Sequence, residues 1–74
     1  MEMAEIKSSN IKSAGYDLKA GTMRVKFGNG TEYDYPVGLE VFNEFIAAKS
    51  QGKYFHAVIK GKYTGTKVEE DNDG

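Results

Sequence analysis

Polar and apolar residues alternate strictly along TMRVKF, residues 22–27. Met23, Val25 and Phe27 point to one side and the intervening polar residues to the other, the period-two pattern of a half-buried β-strand. Gly-Asn-Gly follows at residues 28–30, and these residue types tolerate the positive φ angles of hairpin turns. The pattern therefore predicts that residues 31–35 return antiparallel to this strand.

Two further features define the predicted sheet. Ile11 and Tyr16 bracket small and polar residues in SSNIKSAGYD, which predicts a first strand with Gly15 as a bulge or a point of close backbone approach. Pro36 lacks a backbone N–H and fixes φ, so the last strand should end there or lie at a sheet edge. The sequence thus predicts three strands in an antiparallel meander.

Beyond residue 38 the apolar period changes from two to that of a helix. One stripe is formed by Val41, Phe42, Phe45 and Ile46, and a second, shorter stripe by Tyr54, Phe55, Val58 and Ile59. The segment Ser-Gln-Gly at 50–52 predicts a hinge between two helices, and Gly61 predicts the end of the second. The predicted fold class is α+β, a three-stranded antiparallel β-meander followed by two short helices packed on one face.

The length of 74 residues indicates one small domain, which buries only about 60% of its unfolded surface and gains from oligomerisation. There is no cysteine, which excludes disulfides, thiolate metal sites and cysteine catalysis. No leader pattern and no membrane-length apolar run is present. We expect a cytoplasmic protein, in a bacterial cell or in the cytoplasm of an infected host.

Charge is distributed unevenly along the chain. Residues 64–74 carry four acids against one lysine, whereas the interval between Glu44 and Glu69 holds no acid and carries five lysines and the lone His56. An acidic end without apolar periodicity predicts a disordered tail. The predicted organisation is a flexible N-terminus over 1–7, a domain over 8–63 and an acidic tail over 64–74.

The succession SSNI, GYD, MRVKF, NGTEYDYPV and AAKSQGKYFHAVIKGKY resembles the KTSC domain. That family is named for its place at the C-terminus of some lysyl-tRNA synthetases, and it also occurs as free-standing bacterial and phage proteins. Its hallmark Tyr-x-Tyr corresponds here to Tyr33, Asp34 and Tyr35. The resemblance covers residues 8–63 and includes Gly30, Val37, Ser50, Gly52, Phe55, Ile59 and Tyr63. It implies RNA binding, suggested by the synthetase association, and no enzymatic activity.

The residues that could perform catalysis or hold a metal do not form a recognisable set. One histidine cannot make a zinc site alone, and the acidic end lacks the twelve-residue calcium loop. The glycine-containing segments at 28–30 and 61–65 lack the spacing of a phosphate loop. We therefore predict no catalytic residue, no metal and no cofactor; a hydrolase using His56 is a further alternative.

Aromatic and basic residues remain as candidates for binding. Tyr33 and Tyr35 either cover the apolar stripe of the helices or offer stacking surfaces to a base. The hairpin register decides whether they lie beside Met23 and Val25 or beside Arg24 and Lys26. In the second arrangement they would form an exposed surface like that of sheet-based RNA binders.

The acid-free segment supplies the other candidates. Lys53, His56 and Lys60 are three and four residues apart, which places them on one side of a helix, where they either form a solvated face or attract phosphates. Tyr63 ends that side. The predicted ligand-binding residues are Tyr33, Tyr35 and Tyr63 for stacking and Arg24, Lys53, His56 and Lys60 for phosphate.

These residues predict a non-enzymatic binding module for nucleic acid, RNA in particular, or for a nucleotide. Two alternatives stay open. One is an oligomeric phage protein that sequesters a small cyclic nucleotide signal of host defence between its subunits. The other is a protein-interaction module that extends a sheet edge with a strand of its partner.

Overall fold

A single antiparallel sheet runs through the computed structural model of the protein, which describes residues 2–68. Over these residues the strands lie side by side in the order of the chain, so each connection joins neighbours. The strands are β1 (Ala4–Glu5), β2 (Ile11–Asp17), β3 (Thr22–Phe27), β4 (Glu32–Tyr35) and β5 (Thr66–Lys67).

The predicted count of three strands is wrong, because two short strands flank the predicted meander. β1 pairs with β2 through Ala4 and Ala14, and β5 pairs with β4 through Lys67 and Tyr33. Each is two residues long, too short for an apolar period. β1 lies within the segment predicted as flexible, and β5 lies beyond the predicted domain end at residue 63. Residues 69–74 of the predicted acidic tail lie outside the described residues.

The β3–β4 hairpin decides which side chains face the helices. Its three-residue loop places Phe27 opposite Thr31, whose carbonyl oxygen accepts the Phe27 N–H at 2.8 Å. Gly30 has φ of 91°, the left-handed conformation that ends a three-residue hairpin loop. From there the register pairs Val25 with Tyr33, and Met23 with Tyr35. The tyrosines therefore share the helix-covered face with the apolar residues of β3.

Strand β2 contains the irregularity predicted for the first strand, but not at Gly15. Gly15 pairs regularly with Arg24, and the register shift lies between Ile11 and Ser13. The extra residue at this point lets Ile11 and Ala14, three positions apart, both be buried.

The prediction of two helices is confirmed. Helix α1 spans Leu39–Ala47, and helix α2 spans Gln51–Tyr54 and continues as a π-helical segment, Phe55–Lys60. Gln51 links them, since its Nε2 donates to the carbonyl oxygen of Ile46 at 2.9 Å. Both helices contribute to the core on one face of the sheet, which consists of Ile6, Ile11, Ala14, Met23, Val25, Tyr35, Val37, Phe45, Phe55 and Ile59. Within residues 2–68 no helix has the length and apolar character needed to cross a membrane.

Candidate functional site

A cleft of about 660 Å³ opens beside the β3–β4 hairpin and the π-helical segment. We call it the aromatic cleft, because four rings line it: Phe27, Tyr33, Tyr35 and Phe55. Its other walls consist of Ser9, Asn10, Ile11, Gly28, Asn29, Thr31, His56 and Lys60. Four of the seven predicted binding residues, Tyr33, Tyr35, His56 and Lys60, thus meet in one place.

The four rings hold one another in fixed orientations. Phe55 packs edge-on against Phe27 and Tyr35, with ring centroids 5.8 and 5.4 Å apart. Phe27 also packs edge-on against Tyr33 at 5.8 Å, and the two tyrosine centroids are 6.5 Å apart. These are the favoured geometries and separations for aromatic pairs. The lining of the cleft therefore consists of rings that pack against one another.

Tyr35 belongs to the core and to the cleft at once. Its side chain is 5% exposed, and its ring lies so close to Gly65 that a Cβ there would be 2.6 Å from Cε2. Burial, and to a smaller degree the neighbouring Tyr33, raise the pKa of the Tyr35 hydroxyl. Among residues 2–68 no fully buried side-chain oxygen lacks a hydrogen-bond partner. Of the two alternatives for this ring, its burial favours packing against the helices, and it also contributes to the lining of the cleft.

Tyr33 is the more accessible of the two tyrosines, since its side chain is half-buried. It lies opposite Lys67 across the β4–β5 pair, and opposite residues of a strand pair project to the same face. Lys67 is exposed and adds a cation beside this ring. The sequence pattern does not show this placement, because Lys67 lies in the segment predicted as an acidic tail; the pairing of β5 with β4 reveals it.

His56 and Lys60 reach the cleft from the π-helical segment. They are four residues apart, as are Phe55 and Ile59, which are buried on the opposite side. The wider turn of a π-helix, with its i→i+5 bonds, is rare and is frequent at functional sites. His56 and Lys60 are exposed, so both present N–H donors to the solvent of the cleft.

A second depression, of about 700 Å³, adjoins the first. We call it the basic groove; it is lined by Lys7, Ser8, Ser9, Asn10, Ser50, Gly52, Lys53, His56 and Ala57. Three residues, Ser9, Asn10 and His56, line both depressions. The predicted phosphate contact Lys53 therefore lies next to the aromatic cleft but outside it.

Arg24 and Tyr63, the remaining predicted binding residues, lie elsewhere. Arg24 is on the sheet face away from the helices, where its guanidinium donates to both oxygens of Asp34, at 2.8 and 3.1 Å. This hydrogen bonding raises the pKa of Arg24. The half-buried ring of Tyr63 packs against the core, and its backbone N–H donates to Ile59 at 2.9 Å. Neither side chain lines the aromatic cleft or the basic groove.

The lining of both depressions contains no acidic side chain. In the part of the chain that the structure describes, no cluster of three or more potential ligands could hold a metal ion. Over the same residues the hydrogen bonds of the side chains leave His56 without a serine or carboxylate partner. The arrangement thus offers π surfaces, hydroxyls and positive donors, which suit an anionic ligand with an aromatic part.

Comparison with known proteins gives a consistent result. A protein of Tsukamurella paurometabola is 34% identical over 62 residues, which are 82% of this chain and 92% of that protein. A lysine–tRNA ligase of Trichormus variabilis is 40% identical over 58 residues, which are 77% of this chain but only 10% of the ligase. The relatives thus include one of about the length of this chain and one large enzyme.

A solved structure shares the fold. The crystal structure of a KTSC domain protein from Yersinia pestis has a TM-score of 0.81 and 33% identity to this chain, and the match covers 92% of this chain and 97% of that one. The sequence profile of the KTSC domain matches residues 7–63. The match over most of the chain, together with these relatives, shows that the protein belongs to the KTSC domain family, whose members form part of some lysyl-tRNA synthetases or stand alone.

Proposed function

We propose that the chain is a non-enzymatic binding module that takes a base of single-stranded RNA, or of a nucleotide, in the aromatic cleft. The observation that carries this proposal is the composition of the cleft, in which four aromatic rings and two exposed N–H donors meet without an acidic side chain. A base stacks on the accessible ring of Tyr33, and its phosphate binds His56 and Lys60.

The charges around the cleft support an anionic ligand. Lys60 lines it, Lys67 lies beside Tyr33, and the acids of β4 belong to the opposite face, where Glu32 lies across from Lys26 and Asp34 binds Arg24. Among the described residues, the charged side chains nearest the cleft are therefore cationic, although the whole chain has a formal net charge of −1. A few cations without an arginine cluster favour a short single strand over a long duplex.

The relatives support an RNA ligand. Lysine–tRNA ligases, which by their name act on tRNA, contain the same domain in a tenth of their length. Base stacking requires no particular sequence, because every base has a π face. A domain of this kind can therefore contribute general affinity for RNA both inside a synthetase and on its own.

The proposal is tested by titrating isotope-labelled protein with a mixed-sequence RNA hexamer and following the backbone amide signals by NMR. We expect the largest shifts at Tyr33, His56 and Lys60. Tyr33→Leu lowers the affinity about 5- to 150-fold, equivalent to a stacking energy of about 1–3 kcal/mol. Tyr63→Leu, which replaces a half-buried tyrosine outside the cleft, is the matched control and leaves the affinity unchanged.

A second pair of variants tests the phosphate contact. Lys60→Gln reduces the salt dependence of RNA binding by about 0.7 in the slope of log K against log salt, whereas Lys19→Gln, in the β2–β3 turn, does not. An equal reduction of the slope in both lysine variants would mean that RNA is attracted by the overall charge of the protein and not by a phosphate contact at Lys60. The proposed site would be refuted if the largest NMR shifts were centred on Arg24, or if no RNA or nucleotide caused any NMR shift.

A further inference from the structure

The aromatic cleft and the basic groove form one continuous surface with two chemically different halves. Ser9, Asn10 and His56 line both halves. Phenylalanine and tyrosine rings line only the cleft, whereas the groove adds Lys7 and Lys53 together with serine hydroxyls. A ligand that uses both halves must therefore combine a flat apolar group with more than one anionic group.

The basic groove has the chemistry of a phosphate and sugar contact. Lys7 and Lys53 are exposed, and in the described part of the chain neither forms an ion pair, since the salt bridge found there joins Arg24 and Asp34. Lysine ammonium groups and serine hydroxyls are common partners of phosphate oxygens and sugars and carry no base specificity. The groove thus differs from the cleft in what it can recognise.

Hydrogen bonds hold the β1–β2 connection, which supplies Ser9 and Asn10 to both halves. The N–H of Lys7 donates to Oε1 of Gln51 at 2.9 Å, and the carbonyl oxygen of Asn10 accepts the N–H of Gly28 at 2.9 Å. Ser8 packs directly against Gly52, because a Cβ added at Gly52 would lie 2.9 Å from Oγ of Ser8. The connection is anchored to the helix and to the hairpin, so the spacing of cleft and groove is built into the fold.

We propose that the ligand is at least two nucleotide units joined by a phosphodiester, bound across both halves of this surface. One base occupies the aromatic cleft, the linking phosphate lies at His56, and the phosphate of the neighbouring unit binds Lys7 and Lys53. This inference rests on the proposed function and adds that a mononucleotide satisfies only half of the surface. A linear strand and a cyclic dinucleotide share the required chemistry.

The test compares the affinities of AMP, the linear dinucleotide pApA and cyclic di-AMP for the full chain by isothermal titration calorimetry. We expect pApA to bind at least about tenfold more tightly than AMP, the factor that one added charged hydrogen bond supplies. In the double variant Lys7→Gln/Lys53→Gln this advantage disappears while the affinity for AMP is retained. The double variant Lys19→Gln/Lys62→Gln removes the same charge at exposed positions outside both halves and keeps the advantage.

The outcomes separate this inference from the function on which it rests. Equal affinities of AMP and both dinucleotides, with Tyr33→Leu still weakening all three, would overturn the two-unit ligand and keep the aromatic cleft. An unchanged pApA advantage in Lys7→Gln/Lys53→Gln would also overturn it. Failure of every nucleotide to bind would refute both proposals. Preference for pApA assigns the surface to a nucleic-acid strand, and preference for cyclic di-AMP assigns it to a free cyclic dinucleotide.

Discussion

Gly65 is the position where a single methyl group should disturb both the core and the aromatic cleft. A Cβ at this residue would lie 2.6 Å from Cε2, 2.7 Å from Cζ and 3.0 Å from Oη of Tyr35. Carbon atoms in van der Waals contact are about 3.5–4.0 Å apart. In Gly65→Ala either the ring or the backbone of residue 65 must therefore move by about an ångström.

The surroundings of the ring determine how much this movement costs. Tyr35 is enclosed by Phe55, with centroids 5.4 Å apart, and by Tyr33 at 6.5 Å, so it cannot turn away without disturbing the other rings. Overpacking of this kind costs about 1–3 kcal/mol. For a domain of this size each kcal/mol lowers Tm by about 4–8 °C, so we expect Tm to fall by about 4–24 °C.

Urea unfolding of Gly65→Ala, followed by circular dichroism, measures the cost, and Gly61→Ala is the matched control. At Gly61 the nearest atoms to an added Cβ are 3.7 and 3.8 Å away, and its φ is −80°, which alanine adopts readily. The control should be unchanged or more stable by up to about 1 kcal/mol. Gly65→Ala should also weaken RNA binding, because the ring it displaces lines the cleft.

A double-mutant cycle with Tyr35→Leu identifies the origin of the cost. Leucine lacks the ring atoms that the methyl group meets, so Gly65→Ala should cost less in the Tyr35→Leu background. We expect a coupling of about 0.5–3 kcal/mol, as for residues in contact. If Gly65→Ala costs the same in both backgrounds, contact with the Tyr35 ring is not the cause of the destabilisation.

Three further substitutions test other parts of the structure. Arg24→Gln removes the partly exposed ion pair with Asp34 and should lower the free energy of unfolding in urea by about 0.2–1 kcal/mol without changing RNA affinity; a loss of affinity would return Arg24 to the binding surface. Tyr16→Phe removes the hydrogen bond that Oη donates to the carbonyl oxygen of Val37 at 2.9 Å and should cost about 0.5–1.5 kcal/mol in the same assay, whereas an unchanged stability would mean that water replaces this bond. Burial raises the pKa of the Tyr35 hydroxyl from its ordinary value of 10.0, so the stability that this group contributes is fully present below the unfolded-state pKa and is lost as the pH rises through the folded-state pKa. The free energy of unfolding should therefore fall more for wild type than for Tyr35→Phe between about pH 9 and pH 11, and equal losses would contradict the raised pKa.

The elements predicted from the sequence are those long enough to show a period. Strand β3 has six residues and α1 has nine, so each repeats its pattern several times. β1 and β5 have two residues each. They are strands because they pair with β2 and β4, and such pairing produces no pattern in their own residues. The segment before residue 8 nevertheless contains one signal, since buried Ile6 is a large β-branched residue flanked by the charged Glu5 and Lys7.

The pattern of polar and apolar residues leaves the register of the β3–β4 hairpin open, although the length of its loop determines it. A three-residue loop over 28–30 makes Phe27 the partner of Thr31, so odd positions of β3 face odd positions of β4. A loop one residue longer or shorter would have placed Tyr33 beside Arg24 or Lys26. Loop length therefore decides whether the tyrosines line the helix face or the open face.

The structure divides the basic residues that helical spacing places on one side of a helix, because the spacing rule assumes one kind of helix throughout. Lys53 lies in the α-helical turn, whereas His56 and Lys60 lie in the π-helical segment. Seven residues make about two turns of an α-helix but fall short of two of the wider π turns. Lys60 therefore lines the cleft, Lys53 lines the groove, and His56 lies where the two meet.

The small size of the domain explains why fold and site share residues. A chain of 74 residues has too little core to set aside a separate rigid support for a ligand, so Phe55 and Tyr35 serve the core and the cleft at once. Substitutions at these two rings change stability and binding together, so a loss of binding in such variants also follows from the damage to the fold. Tyr33 and Lys60 lie at the margin, partly or fully exposed, where binding can change while the fold is retained. The case for nucleotide binding therefore depends on those marginal positions.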